Sequence, residues 1–217
     1  MNSYSHNFAV CIGRQLGSGG RNVALAISRK MGIAFYDKEI INQAAKDSGL
    51  DPEYFEKVDE KPTVPILGGF AGMHIPFFSG GYLDTESYLG NNNLFKIQSR
   101  TIEMLADKGP GVFVGRCADY ILRDRPRVLS VFITATLEDR IERLSKLLSV
   151  TPEEAEARIK ECDRKRAEYY NYFTFKKWGD SASYDLCMST SLFGEEETAD
   201  RIVSIVQTKI LEMDTAR

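Results

Sequence analysis

Between a short apolar run and an amphipathic segment the chain carries Gly13-Arg14-Gln15-Leu16-Gly17-Ser18-Gly19-Gly20-Arg21-Asn22. Closely spaced glycines let successive backbone N–H groups turn to one side, and a following helix adds the partial positive charge of its N-terminus. Gly17, Ser18, Gly19, Gly20 and Asn22 are therefore expected to cradle a phosphate chain, with Arg21 adding a full charge. The segment departs from the pattern G-x-x-x-x-G-K-[ST]. With Gly20-Arg21 in the place of Gly-Lys, Gln15 stands at the first glycine, Asn22 at the hydroxyl residue and Val23 just beyond it. An arginine grips phosphate oxygens through a planar fork and not as a point charge. Ser18 is the hydroxyl left to meet a magnesium ion. The alternative is a glycine-rich connecting turn with a surface arginine.

Gly115-Arg116-Cys117-Ala118-Asp119 follows a second apolar run. An arginine there suits the clamping of an acceptor phosphate, with Asp119 capping or orienting it. From Arg158 to Lys177 a basic island interrupts an acidic chain; such cations stabilise charge that migrates during phosphoryl transfer, or else solubilise a helix face. Within it Asp163 and Arg166, three residues apart, share a helix face and are expected to orient one another. Asp37 is placed to contact substrate, to hold a water on Mg²⁺, or simply to cap a helix. Arg140 and Arg143 share a face too, where the alternative is solubilising charge. His6 and His74 have no nucleophile or ligand spacing around them, so no protein metal site is expected. Cys117 lies in the candidate site with nothing to mark it as a nucleophile. Trp178 and Tyr169, Tyr170 and Tyr172 read as packing and not as a stacking surface.

These residues need elements to position them. Phe8–Ile12, Ile33–Tyr36, Val112–Val114, Val128–Ile133 and Asp185–Ser189 read as short buried strands. Helices are expected from Asn22 to Gly32, after Asp37, after Asp51-Pro52, from about Leu94 to Lys108, and on both sides of the turn near Thr151. Thr151-Pro152-Glu153-Glu154 joins a capping box to a first-turn proline, marking the start of a helix toward Tyr170. A last amphipathic helix spans Glu195–Leu211. Strands alternating with helices imply an α/β fold, a parallel sheet covered on both faces, with ligands beyond the carboxyl ends of its strands. Residues 61–93, rich in proline, glycine and aromatics, read as a lid or binding segment.

The length of 217 residues fits a single domain spanning 1–217. Hydrophobic residues at 43% and charged residues at 27% place the chain among globular proteins. A net charge of −3 argues against a nucleic-acid polymer or anionic membrane as partner. Four scattered cysteines suggest no disulfide framework, and neither a leader nor a long apolar stretch is evident, so a cytoplasmic location is expected.

With these residues in view the chain resembles the cytidylate kinase-like family, a branch of the P-loop nucleoside monophosphate kinases. The resemblance rests on Gly17–Arg21, Phe35–Glu39, Val114–Asp119, Asp163–Arg166 and Tyr184-Asp185 leading to Ser189–Ser191. It implies a three-layer α/β/α fold with a five-stranded parallel sheet and a helical lid. The core would occupy about 8–60 and 94–217, an acceptor-side or lid-like insertion about 61–93, and the ATP lid about 158–180. It implies transfer of the ATP γ-phosphate, with Mg²⁺, to CMP or dCMP. Gly17 to Arg21 would hold ATP, Arg116 the acceptor nucleotide, and Asp163 with Arg166 would lie near both phosphates as catalytic residues together with Arg21. Asp37, Asp119 and Asp185 would be substrate-binding. The family segment D-T-G-x-x-Y-R is absent after Tyr36, and with it the arginine that would bind the monophosphate. Two alternatives stay open: a kinase of the same architecture with a different phosphoryl acceptor, and a nucleotide-binding regulatory module without turnover.

Overall fold

The computed structural model describes residue 4 and residues 6–47 and 85–210. Five strands, β1 (Ala9–Arg14), β2 (Ala34–Tyr36), β3 (Gly111–Val114), β4 (Val128–Thr134) and β5 (Leu186–Ser189), form one sheet in the order β2-β3-β1-β4-β5. Every pairing is parallel. The helices are α1 (Gly20–Met31), α2 (Lys38–Asp47), α3 (Thr85–Lys108), the short α4 (Ala118–Ile121), α5 (Leu137–Leu148), α6 (Pro152–Thr174) and α7 (Thr190–Ile205).

The alternation of β1 explains the layering. Val10 and Ile12 face one side, where they join Val23 and Ile27 of α1 and Ala199 and Ile202 of α7. Ala9 and Cys11 face the other, with Ile41 of α2, Ile102 of α3 and Leu122. A strand apolar on both faces belongs at the centre of a parallel sheet, and β1 sits there. The expected α/β architecture is therefore observed.

Several boundaries differ from the sequence reading. β1 continues two residues past Ile12, through Gly13 and Arg14. A Cβ at Gly13 would lie 2.9 Å from Phe132 Cδ2 and 3.1 Å from Tyr184 Cε1, so this glycine is a packing requirement inside a strand and not a strand stop. Helix α3 begins at Thr85, earlier than Leu94, because Gly90 and Asn91–Asn93 are poor helix formers that masked its first turns. The last helix begins at Thr190, and a break at Gly194 (φ 73°, ψ 172°) separates that first turn from the expected amphipathic stretch. Thr151 caps α6 as anticipated, accepting from Glu154 N–H at 3.2 Å. The helix after Asp51-Pro52, His74 and most of the 61–93 insertion lie outside the described residues.

Candidate active site

The glycine loop leaves β1 at Arg14 and enters α1 at Gly20, with Gly17 (φ 78°) and Gly19 (φ 74°) in the left-handed region. Gly19 caps α1 with no side chain; Gly20 N–H donates to Ser18 Oγ at 3.4 Å, and the Glu195 side chain lies against Gly19, its Oε1 2.2 Å from where a Cβ would sit. Helices α5 and α6 hold the loop from behind. Leu16 N–H donates to Asp163 Oδ1 at 2.8 Å, and Arg140 Nε donates to Leu16 O at 2.7 Å. Arg140 and Asp163 are themselves ion-paired, with side chains 7% and 15% exposed. The Leu16 side chain packs against the cluster of Leu144, Ala155 and Ile159. Arg143 Nη1 donates to Gly17 O at 3.3 Å and to Thr190 Oγ1 at 2.9 Å, and Thr190 in turn donates to Ser18 O at 2.7 Å. Side chains of α5, α6 and α7 thus hold the loop through its Leu16, Gly17 and Ser18 backbone groups.

The structure distributes the anticipated residues unevenly. Ser18 is fully buried and its hydroxyl donates to Gln15 O at 2.9 Å, so it does not replace the missing metal-binding hydroxyl. Arg21 turns toward β2: its Nη2 lies 2.6 Å and its Nε 3.1 Å from Asp37 Oδ2, with the guanidinium 5.4 Å from the Phe35 ring centroid. Asp37 also accepts from Ile40 N–H at the start of α2. Burial would raise its pKa, but the bonds from Arg21 and Ile40 outweigh that and hold the carboxyl below its ordinary value. Asn22 Nδ2 donates to Glu195 Oε2 at 3.0 Å. Asp163 pairs with Arg140 and not with Arg166. Asp185 precedes β5 and accepts from Ser130 N–H and Oγ, which keeps it among the strands, away from their carboxyl ends.

Beyond the ends of β1 and β3 lies a cavity of about 140 Å³. Among the described residues Arg14, Lys38, Arg116, Lys165 and Arg166 line it, against one carboxylate, Asp119. Its aromatic wall includes Tyr169, Tyr170, Trp178 and Tyr184, joined through Phe132. Tyr170 hydroxyl donates to Asp119 Oδ2 at 2.7 Å, so Asp119 orients the wall and not Arg116. Burial raises the Asp119 pKa against that hydrogen bond. Arg116 and Cys117 both adopt φ of 56°, a strained pair of the kind found where a site over-determines its backbone. Arg116 sits 5.9 Å from the Tyr169 ring centroid. Of the basic island, Lys165 and Arg166 reach the cavity, while Arg164 is held outside by Glu161 and Glu168. Burial pushes the Cys117 and Cys162 thiols up, which leaves neither as a nucleophile.

Lys38 carries a pH prediction. Burial lowers it to about 8, aided by Arg116, Arg14 and Arg166 and opposed by Glu39. Its charged form, present below that value, is the one that attracts a phosphate; the affinity of the cavity for inorganic phosphate should therefore fall as pH rises through about 8. Calorimetric titration of wild type and Lys38→Met between about pH 6.5 and 9.5 checks this, and an unchanged profile in the variant refutes the assignment.

Arg14 does not stand out in the sequence as a site residue, and Arg140 and Arg143, for which solubilising charge is the alternative reading, hold the glycine loop. The signal for Arg14 was present, since it ends a central strand at the edge where ligands bind. Nothing local marked Arg140, whose partners Leu16 and Asp163 are distant in sequence.

An open parallel sheet with a glycine loop and an arginine-lined cavity at its carboxyl edge defines the class of P-loop nucleotide kinases. Residues 9–192 match the cytidylate kinase-like family, and the chain belongs to that family. It is 25% identical over 205 residues to a cytidylate kinase of Methanopyrus kandleri, covering 90% of this chain and 91% of that one. Among solved structures, an uncharacterised protein from Eubacterium ventriosum superposes with a TM-score of 0.70 at 25% identity, covering 93% of this chain and 99% of the other. The shikimate kinase of Bacteroides thetaiotaomicron shares the fold, with a TM-score of 0.51 at 12% identity over 93% of this chain and 99% of its own. No helix among the described residues is long and apolar enough to cross a membrane.

Proposed function

We propose that the protein transfers the γ-phosphate of ATP to CMP or dCMP. The observation that carries this reading is the junction at the end of β1. There the glycine loop and the cationic cavity adjoin, and α6 touches both, through Asp163 on Leu16 N–H and Arg166 on Arg14 O. The loop would hold the donor phosphates; Arg116 would hold the acceptor phosphate, with Arg166 between the two. An acceptor phosphate is already ionised, so in-line attack on the γ-phosphorus needs no base; positioning and charge neutralisation supply the catalysis. Membership of the family and likeness to the Methanopyrus kandleri enzyme support the choice of cytidylate.

The described residues do not form a protein-held magnesium site. Ser18 is committed to Gln15, Asp37 to Arg21, and no group of three His, Cys, Asp or Glu among the described residues could hold a metal. Magnesium therefore belongs to the substrate, as the ATP complex, held through phosphate oxygens and water.

A second reading is a kinase of the same architecture with another phosphoryl acceptor, favoured by the absence of D-T-G-x-x-Y-R after Tyr36. ADP release from Mg·ATP against a panel of ribo- and deoxynucleoside monophosphates, with the diphosphate product detected, decides between them. Selective turnover of CMP or dCMP is expected; turnover of a different monophosphate moves the assignment to the second reading, and ATP binding with no turnover sets both aside.

A further inference from the structure

We infer that Arg14 is the residue that grips the acceptor's phosphate, in place of the monophosphate-binding arginine missing after Tyr36. This inference rests on the kinase reading and specifies its acceptor subsite: a phosphomonoester dianion held between Arg14 of β1, Lys38 of α2 and Arg116 after β3.

Three observations carry it. The first is the seat of the guanidinium. Arg14 Nη1 lies where the Cβ of any other residue at position 115 would sit, 2.0 Å from it, so Gly115 (φ 73°) keeps open a slot that the Arg14 side chain fills. The second is what surrounds it. Arg14 shares the cavity with Lys38, Arg116, Lys165 and Arg166, while the described residues place no ion pair on Arg14, Arg116 or Arg166. An arginine with such company ordinarily finds a carboxylate, and the one carboxylate among the described residues lining this cavity, Asp119, is bonded to Tyr170. Burial lowers Arg14 to about 9, aided by Arg166 and Arg116 and opposed by Cys162 and Glu39. The third is location. Arg14, Lys38 and Arg116 lie on the β2 and β3 side of β1, while Arg143 and Thr190 support the glycine loop from the β4 and β5 side. The cavity thus adjoins the donor loop without overlapping it, and Arg166 donates to Arg14 O at 3.0 Å where the two meet.

Substitution of Arg14 separates this role from a structural one. Arg14→Met should weaken CMP and inorganic phosphate binding by about 30-fold, the scale of a charge-assisted bidentate contact, while changing the affinity for cytidine and for a non-hydrolysable ATP analogue by less than about threefold. Arg14→Lys should recover part of the loss, because an ammonium keeps the charge without the fork. The thermal midpoint of Arg14→Met should stay level or rise, since repulsion from Arg116 and Arg166 is relieved. Gly115→Ala, which displaces the guanidinium with Arg14 still present, should reproduce the phosphate-specific loss.

Calorimetry on the full chain reads all of these. Unchanged phosphate affinity in Arg14→Met, equal weakening of CMP and cytidine, or loss of the ATP analogue instead would each overturn the assignment of Arg14. Failure of the kinase reading looks different: wild type would bind no nucleoside monophosphate, yet inorganic phosphate or pyrophosphate would still bind in an Arg14-dependent manner, which upholds the subsite.

Discussion

Arg140→Met is expected to cost about 3–5 kcal/mol of stability, because it strips one partner from a buried ion pair and leaves the other uncompensated. Arg140 is 5% exposed and its removal abandons two groups at once: the Asp163 carboxylate and the Leu16 carbonyl. For a chain of this size a loss of about 3 kcal/mol lowers the thermal midpoint by roughly 6–12 °C. The same change frees the loop, since Leu16 is fastened through its N–H to Asp163 and through its carbonyl to Arg140. The KM for ATP should therefore rise alongside the fall in stability. Asp163→Leu in the Arg140→Met background should restore stability relative to the single change, because an apolar pair next to Leu144 and Ile159 removes the stranded charge. Thermal melts and ATP kinetics on the single and double variants test this. A midpoint unchanged in Arg140→Met would mean that the pair does not fasten the loop.

Gly17→Ala is expected to cost about 100-fold in kcat/KM, the scale of a displacement of about 1 Å in a positioning element. Two penalties coincide at this residue. A side chain at φ 78° is strained by about 1–3 kcal/mol. Its Cβ would also stand 2.8 Å from Arg140 O and 3.1 Å from Arg140 Cα, backbone atoms of α5 that cannot rotate away. The loop itself must then move. Gly32→Ala is the control: its φ is 65°, the same strain applies, but nothing lies within 4 Å of the added Cβ. Gly32→Ala should lose stability alone and keep its kinetics. Equal kinetic effects in the two variants would assign the loss to backbone strain and not to loop position.

Much of this arrangement is written locally. Apolar runs of a few residues, each closed by glycine, proline or a cap, define β1 to β5 and their alternation with helices, and a parallel sheet fixes one edge for ligands. Arg116 follows β3 and the glycine loop follows β1, so both reach that edge by chain order alone. Thr151 with Pro152 starts α6 on local signals too, which places Arg166 on the helix that spans the site.

What each charge does there depends on partners the local pattern does not name. Asp163 and Arg166 share a helix face, yet one reaches Arg140 and Leu16 while the other reaches Arg14 O. Arg21 follows the loop, yet the buried carboxylate of Asp37, brought near by the placement of β2, draws it aside. Ser18 is spent inside the loop because the carbonyl of Gln15 turns toward it. Gly13 reads as a strand end until Phe132 and Tyr184 press against it, and only then does Arg14 become the last residue of β1, aimed at the cavity. Sequence periodicity records which way a residue faces within its own element; the counter-charge it meets is set by how other elements pack, Asp37 16 residues from Arg21 and Asp163 23 from Arg140, and charge pairing decides whether an arginine is structure or site.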